Sequence, residues 1–210
     1  LIWATTDNIT TKLLYGRAFR APSLNELYVA NNPVFMGNDE LDAETIDTFE
    51  IGVSHQITAQ LLYGVNLFYY EIDDLINAVP MSGLIATQYR NAGQRTGHGG
   101  ELELTYQVYE DLSLQANYAY QTAKDEGTGQ SVGEAPNHQI YTRVDWTVSP
   151  QWLLSSQVNW VGKQKRAAGD QREPVSDYTT VDMTPEQRSA CKDTELLRWR
   201  RNRRDTHEYN

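Results

Sequence analysis

Tyr15-Gly16-Arg17-Ala18-Phe19-Arg20-Ala21-Pro22-Ser23-Leu24-Asn25-Glu26-Leu27-Tyr28 reads as a strand that runs into a proline and opens a long polar loop. Leu13, Tyr15 and Phe19 recur at even spacing, which in an extended chain puts them on one face. Pro22 cannot donate to a sheet ladder, and it pushes Ala21 away from helical angles, so the strand ends there.

Outward from this stretch the chain repeats the same grammar. Residues 1–10 read as the end of one strand and a polar turn at Thr5–Asn8. A strand at 11–20 gives way to a loop from Ala21 to Thr45 containing Asn31-Asn32-Pro33 and Gly37-Asn38-Asp39-Glu40. A structureless loop this long is unusual inside a compact soluble domain. At 46–56, Phe49, Ile51 and Val53 oppose Thr48, Glu50, Gly52 and Ser54. At 60–72, Leu61, Tyr63, Val65, Leu67 and Tyr69 form one apolar face, and a second loop holds Val79-Pro80-Met81-Ser82-Gly83.

The segment 84–108 contains Gly93, Gly97, Gly99 and Gly100, which suggest bulges or bends. The tight turns at 57–59 and 109–111 belong on one side of a sheet, so 84–108 is one long bent strand rather than two. Strands at 112–122, 138–148, 152–161 and 177–184 complete the alternation, separated by loops at 124–137 and 163–176 and by a tight turn at Ser149-Pro150-Gln151.

Long and short connections therefore alternate, which describes an all-β, antiparallel up-and-down meander with two unlike ends, as in a transmembrane β-barrel. Tyr69, Tyr106, Tyr120, Trp146, Trp152 and Trp160 lie near strand ends, where a membrane-interface girdle places aromatics. The competing architecture is a soluble β-sandwich, which rarely segregates long and tight connections so strictly. No run of about 18 apolar residues is present, and the negative mean hydropathy suits a barrel as well as a soluble protein, because barrel strands alternate.

Composition narrows function. A net charge of −10 argues against a nucleic-acid partner, which requires a basic face. The lone Cys191 can form no internal disulfide, and the four histidines show no metal-ligand spacing. There is no phosphate loop and no nucleophile elbow, so no catalytic, cofactor-binding or metal-binding residues are assigned and the chain is not read as an enzyme. Parity places Glu50, Glu101, Glu103, Arg143 and Asp145 on the polar face, which in a large barrel is the lumen; Arg17 is awkward, since parity sends it toward lipid. From Pro185 to Asn210 the alternation stops and arginines accumulate. The stretch resembles out-of-frame translation, an aberrant basic tail to a barrel segment at 1–184.

Tyr15, Gly16, Phe19, Arg20, Ala21, Pro22, Glu26, Leu27 and Tyr28 resemble the strand-to-loop signature of TonB-dependent outer-membrane receptors. Gly37-Asn38-Asp39-Glu40-Leu41-Asp42-Ala43-Glu44 followed by Phe49-Glu50-Ile51-Gly52 resembles a second element of that family, with Ala43 in place of its usual proline. Asn91-Ala92-Gly93, Gly100-Glu101-Leu102-Glu103 and Pro136-Asn137-His138 resemble later strands.

The resemblance implies about eight strands, the thirteenth to the twentieth, of a barrel of about 22. The plug domain that contacts TonB, the first strands and the last two are expected to lie outside this segment. It implies residence in the bacterial outer membrane, in contact with its lipid, and energised import of a scarce nutrient through the TonB energy-coupling complex. A ferric siderophore is favoured; haem and cobalamin are the alternatives of the same fold. The stretch Tyr28 to Gly37 lacks the His that haem receptors often carry there. Arg20, Tyr28, Asn31 and Asn32 are the candidates to meet ligand, against the alternative that the signature only shapes the loop exit. A passive barrel (porin or adhesin) and a soluble carbohydrate-binding sandwich are the competing classes.

Overall fold

The computed structural model describes residues 1–83, 85–133, 135–166, 170 and 172–187. The elements in chain order are β1 (Ile2–Thr6), β2 (Ile9–Arg20), α1 (Leu24–Tyr28), β3 (Phe35–Met36), β4 (Glu44–Thr58), β5 (Leu61–Pro80), β6 (Thr87–Tyr109), β7 (Leu112–Asp125), β8 (His138–Ser149), β9 (Trp152–Val161) and β10 (Tyr178–Gln187). Nine strands form one sheet in the order β1-β2-β4-β5-β6-β7-β8-β9-β10, every neighbouring pair antiparallel. Sequential strands are thus spatial neighbours, the up-and-down meander that the alternation of connections requires. The stretch expected at 84–108 holds one strand, β6, which runs from Thr87 to Tyr109, as the parity of the tight turns demands.

Register extends the two faces across the sheet. Ile51 lies opposite Leu13 and Leu67, Leu67 opposite Gly100, and Leu102 between Val65 and Tyr118. Tyr118 lies opposite Ile140, and Ile140 opposite Trp160. Directly paired residues share a face, so these make one continuous apolar surface. No described residue covers it: Leu13, Phe49 and Leu67 are 42%, 52% and 53% exposed, and among the described residues only Ile76 and Val161 are buried hydrophobics. A sandwich would have covered that face with a second sheet. Large side chains left open forgo about 1.5–3 kcal/mol each, so this face calls for an apolar covering.

The tight turns share a device. Register slips by one residue at Ala4/Thr6, Gln56/Thr58, Gln107/Tyr109 and Thr147/Ser149, beside each short connection. At two of them a glutamine closes the turn in the same way. Gln56 Nε2 donates to the carbonyls of Thr58 (2.6 Å) and Leu61 (3.4 Å), and Gln107 Nε2 to those of Tyr109 (2.6 Å) and Leu112 (3.3 Å).

Two expected boundaries move. β5 runs on to Pro80 instead of yielding to a loop before Val79, because β6 pairs with it that far (Val79 with Gln88, Pro80 with Thr87). Pro80 is tolerated because β4 has already ended, leaving an open edge. β10 passes Thr184 to Gln187 and takes Pro185 into an edge strand paired only with β9. Residues 188–210, the rest of the expected basic tail, lie outside the described residues.

Candidate functional site

The loop between β2 and β4, expected to be structureless, is folded and fastened. Ser23 caps α1: its Oγ accepts from the Glu26 backbone N–H at 3.3 Å, and Glu26 Oε2 accepts from the Ser23 N–H at 2.7 Å. This reciprocal capping box stops the strand at Pro22 and turns the chain into a helical turn. Past the helix the loop folds back, with Gly37 N–H donating to the Val29 carbonyl and Asn38 N–H to the Glu26 carbonyl, both at 2.9 Å. The approach is close enough that a Cβ on Gly37 would sit 2.6 Å from the Leu27 carbonyl oxygen.

Arg20 anchors the loop. Its Nε and one terminal nitrogen donate to the two Glu44 oxygens, each at 2.6 Å, while the terminal nitrogens reach Glu26 at 3.1 and 3.2 Å. Glu44 also accepts the Ile76 backbone N–H at 2.8 Å. One guanidinium thus ties the exit of β2, the start of β4 and the first turn of α1. That contact and the Ser23 N–H hold the Glu26 carboxyl down at about 2, well below its ordinary 4.5.

The other signature residues flank this knot. Tyr15 donates its hydroxyl to Asp47 at 2.5 Å and its ring lies 5.0 Å from that of Phe49. Gly16 has open space above it, Phe19 is exposed opposite Thr45, beyond the Arg17–Asp47 row, and Leu27 supplies the carbonyl that Gly37 approaches. Tyr28 is 64% exposed. Asn31 takes a left-handed backbone (φ 59°), and Asn32 Oδ1 accepts the N–H groups of Val34 and Phe35, which closes a turn. Arg17, which parity sends outward, meets Asp47 at 3.8 Å. Asp47 lies in a polar row with Glu71, Thr96 and Lys124, immediately above the Phe49–Tyr69–His98 row, so the apolar band ends there.

The sheet brings Glu50, Glu101, Glu103, Arg143 and Asp145 onto the face opposite the apolar band. Glu50 lies across from Leu14 and Phe68, Glu103 from Asn117, Arg143 from Gln115 and Gln157, and Asp145 from Ser113 and Ser155. Arg143 forks onto Asp145 at 2.8 and 3.0 Å, and Ser155 donates to the same carboxylate. Asn66 reaches Glu50 at 3.4 Å. Glu101 and Glu103 stand unpaired among the described residues, in a groove of about 250 Å³ shared with Asn117, Tyr141 and Asn159. The described histidines are elsewhere: His55, His98 and His138 lie opposite Tyr63, Tyr69 and Tyr120 on the apolar face. Among the described residues no cluster of His, Cys, Asp and Glu could hold a metal ion.

Sequence reasoning missed Glu44 and Asn91 as working residues. The Asn91 carboxamide accepts from the Asp42 N–H at 2.9 Å and donates to the Asp42 and Asp74 carbonyls at 3.0 and 2.7 Å. Asn91-Ala92-Gly93 resembles a family strand, but the partners of Asn91 lie 49 and 17 positions away in sequence, so no local signal names them.

Comparison with known proteins gives a consistent answer. Residues 1–185 match the family model described as TonB dependent receptor-like, beta-barrel. The ferric enterobactin receptor of Pseudomonas aeruginosa is 25% identical over 210 residues, covering 83% of this chain and 28% of that protein. The heme/hemopexin utilization protein C of Haemophilus influenzae is 23% identical, covering 87% of this chain and 30% of that protein. Among solved structures, a mutant of the P. aeruginosa ferric enterobactin receptor in complex with enterobactin superimposes with a TM-score of 0.76 at 23% identity, over 90% of this chain and 32% of that one. The chain thus spans less than a third of the length of these relatives.

Proposed function

The chain belongs to the TonB-dependent receptor-like β-barrel family, and from this premise we propose that it forms part of an outer-membrane receptor that imports a ferric siderophore under TonB coupling. The role is transport, not catalysis. In this reading residues 1–184 are a run of barrel wall; the plug that couples to TonB belongs to the rest of the receptor. The carrying observation is the pairing of a bare apolar face with a charged opposite face on one meander. Lipid covers the first, and the second, with Glu50, Glu101, Glu103, Arg143 and Asp145, lines the lumen. The long connections 21–43, 81–86, 126–137 and 162–177 all leave one end and form the ligand-facing side. The relatives named as ferric enterobactin receptors favour a ferric siderophore as cargo.

Haem import is the second reading, because a haem utilization protein is among the relatives. The placement of the described histidines favours the siderophore: His55, His98 and His138 lie on the face that lipid covers in this arrangement, opposite the charged face. Within the loop, Arg20 and Asn32 are occupied in shaping it, which leaves Tyr28 and Asn31 as the residues free to meet cargo.

The test places the receptor containing this chain in a bacterial host stripped of its own catecholate and haem receptors. Uptake of radiolabelled ferric enterobactin that a protonophore abolishes supports the proposal. Growth on haem iron alone supports the second reading. Uptake indifferent to the protonophore identifies a passive pore and sinks both.

A further inference from the structure

The β5–β6 hairpin stands above its neighbours. β4 stops pairing with β5 at Thr45–Asp73 and β7 stops pairing with β6 at Arg95–Asp125, while β5 and β6 pair on to Pro80–Thr87. An isolated two-stranded hairpin is at best marginally stable in water. This one is braced by the 21–43 loop. β3 pairs in parallel with residues 87–88 of β6, the Phe35 and Tyr89 rings stack at 5.9 Å, and Asn38 Nδ2 donates to the Tyr89 carbonyl at 3.1 Å.

The brace closes at Asn91. Register slips in β5 between Ile72 and Ile76, and Asp74 takes a left-handed backbone (φ 56°), a conformation that a non-glycine residue keeps only when its surroundings hold it. The slip turns the Asp74 carbonyl to Asn91 Nδ2 and the Ile76 N–H to Glu44. The same Asn91 carboxamide grips both backbone groups of Asp42 in the loop. Loop, slipped strand and hairpin are thus joined by one side chain, with its two donors and its acceptor in use.

We propose that Asn91 is a positioning residue: it locks the 21–43 loop and the β5–β6 hairpin into one body, so that the ligand-facing rim is set before cargo arrives. The inference rests on the receptor reading above. A rim ordered in advance spares the ordering cost that a loose pair of loops would incur on binding. The amide is required: Asn91→Asp keeps an acceptor for the Asp42 N–H but turns negative oxygen onto the Asp42 and Asp74 carbonyls.

The experiment uses the receptor containing this chain in outer-membrane vesicles. Cys191 is replaced by serine, and spin labels are placed at Asp39→Cys in the loop and Ser82→Cys at the hairpin tip. The parent is expected to give one narrow interlabel distance. Asn91→Asp and Asn91→Ala broaden it while the barrel keeps its heat-resistant folded mobility, and the half-saturating concentration of ferric enterobactin rises by about tenfold at unchanged maximal uptake. Should the Asn91 variants fail to assemble, Asn38→Ala, which deletes one bond of the brace, gives the same broadening at smaller amplitude. A distance distribution identical to the parent's in the assembled variants overturns the inference. If the parent takes up no ferric enterobactin, the cargo reading fails, while the distances still decide whether Asn91 locks the rim.

Discussion

Arg20 and Glu44 face each other as the last register pair of β2 and β4, and they meet through two parallel hydrogen bonds of 2.6 Å. The residue that resembles a family signature thus spends its guanidinium on the wall and on Glu26 of α1. Its geometry is that of a bidentate fork, which a lysine cannot reproduce.

Arg20→Ala therefore frees the loop rather than the barrel. It leaves Glu44 and Glu26 without their cation, a loss of about 1–2 kcal/mol locally given the half-exposed guanidinium. Limited proteolysis within 21–43 should run about tenfold faster, and Arg20→Lys should rescue it only in part. Equal cleavage in all three proteins would remove the anchoring role.

The same knot has a pH signature. The Glu26 carboxyl is held at about 2 in the folded loop against an ordinary 4.5, so its contribution is fully present above pH 4.5 and is lost as pH falls toward 2. Pepsin cleavage of the loop should accelerate across that interval in the parent, beyond pepsin's own pH response. Glu26→Gln, with no charge to lose, should start more susceptible and show a flatter profile.

Much of this was legible beforehand, and the reasons are physical. Alternation at Phe49, Ile51, Val53 and at Leu102, Leu104, Tyr106 persists because one face of each strand is apolar and the other polar, a period of two that survives in the sequence. Ser23 and Glu26 are three residues apart, the spacing of a capping box, but the expectation for 21–45 is a loop and includes neither the box nor α1. The brace was not legible. Asn38 and Tyr89 are 51 residues apart and Asn91 and Asp42 are 49 apart, and an asparagine in a polar strand carries no mark of what it binds. Arg17 stayed ambiguous for the same reason, because Asp47, its partner, comes from the next strand.

Glycines on the polar face divide into spacers and necessities. A Cβ at Gly99 would clash with the Tyr120 carbonyl oxygen and fall 2.5 Å from the Phe68 ring, whereas one at Gly16 would meet nothing within 4 Å. Gly99→Ala must shift backbone and should cost about 1–3 kcal/mol. Gly16→Ala should stay within about 0.5 kcal/mol. Urea midpoints of the folded barrel in detergent check the pair, and equal midpoints would show that β6 and β7 are looser than they stand here.

Val65 and Asn66 are adjacent in β5 and face opposite sides. Val65 lies between Val53 and Leu102 in the middle of the apolar band; Asn66 lies between Gly52 and Glu101 on the polar face. If lipid covers the first face, an arginine at 65 meets hydrocarbon near its midplane, at a cost of about 2–4 kcal/mol. An arginine at 66 enters a polar space beside Glu50 and Glu101, where its charge is matched and its cost should be small. The two substitutions have the same size and charge and sit one residue apart, so a difference between them reports the face alone. Val65→Arg should reduce folded barrel in the outer membrane severalfold while Asn66→Arg leaves it near the parent level, measured by heat-modifiable mobility of outer-membrane fractions. Equal loss in both would place the apolar face against protein rather than lipid and would undo the barrel-wall assignment from which the transport role is argued.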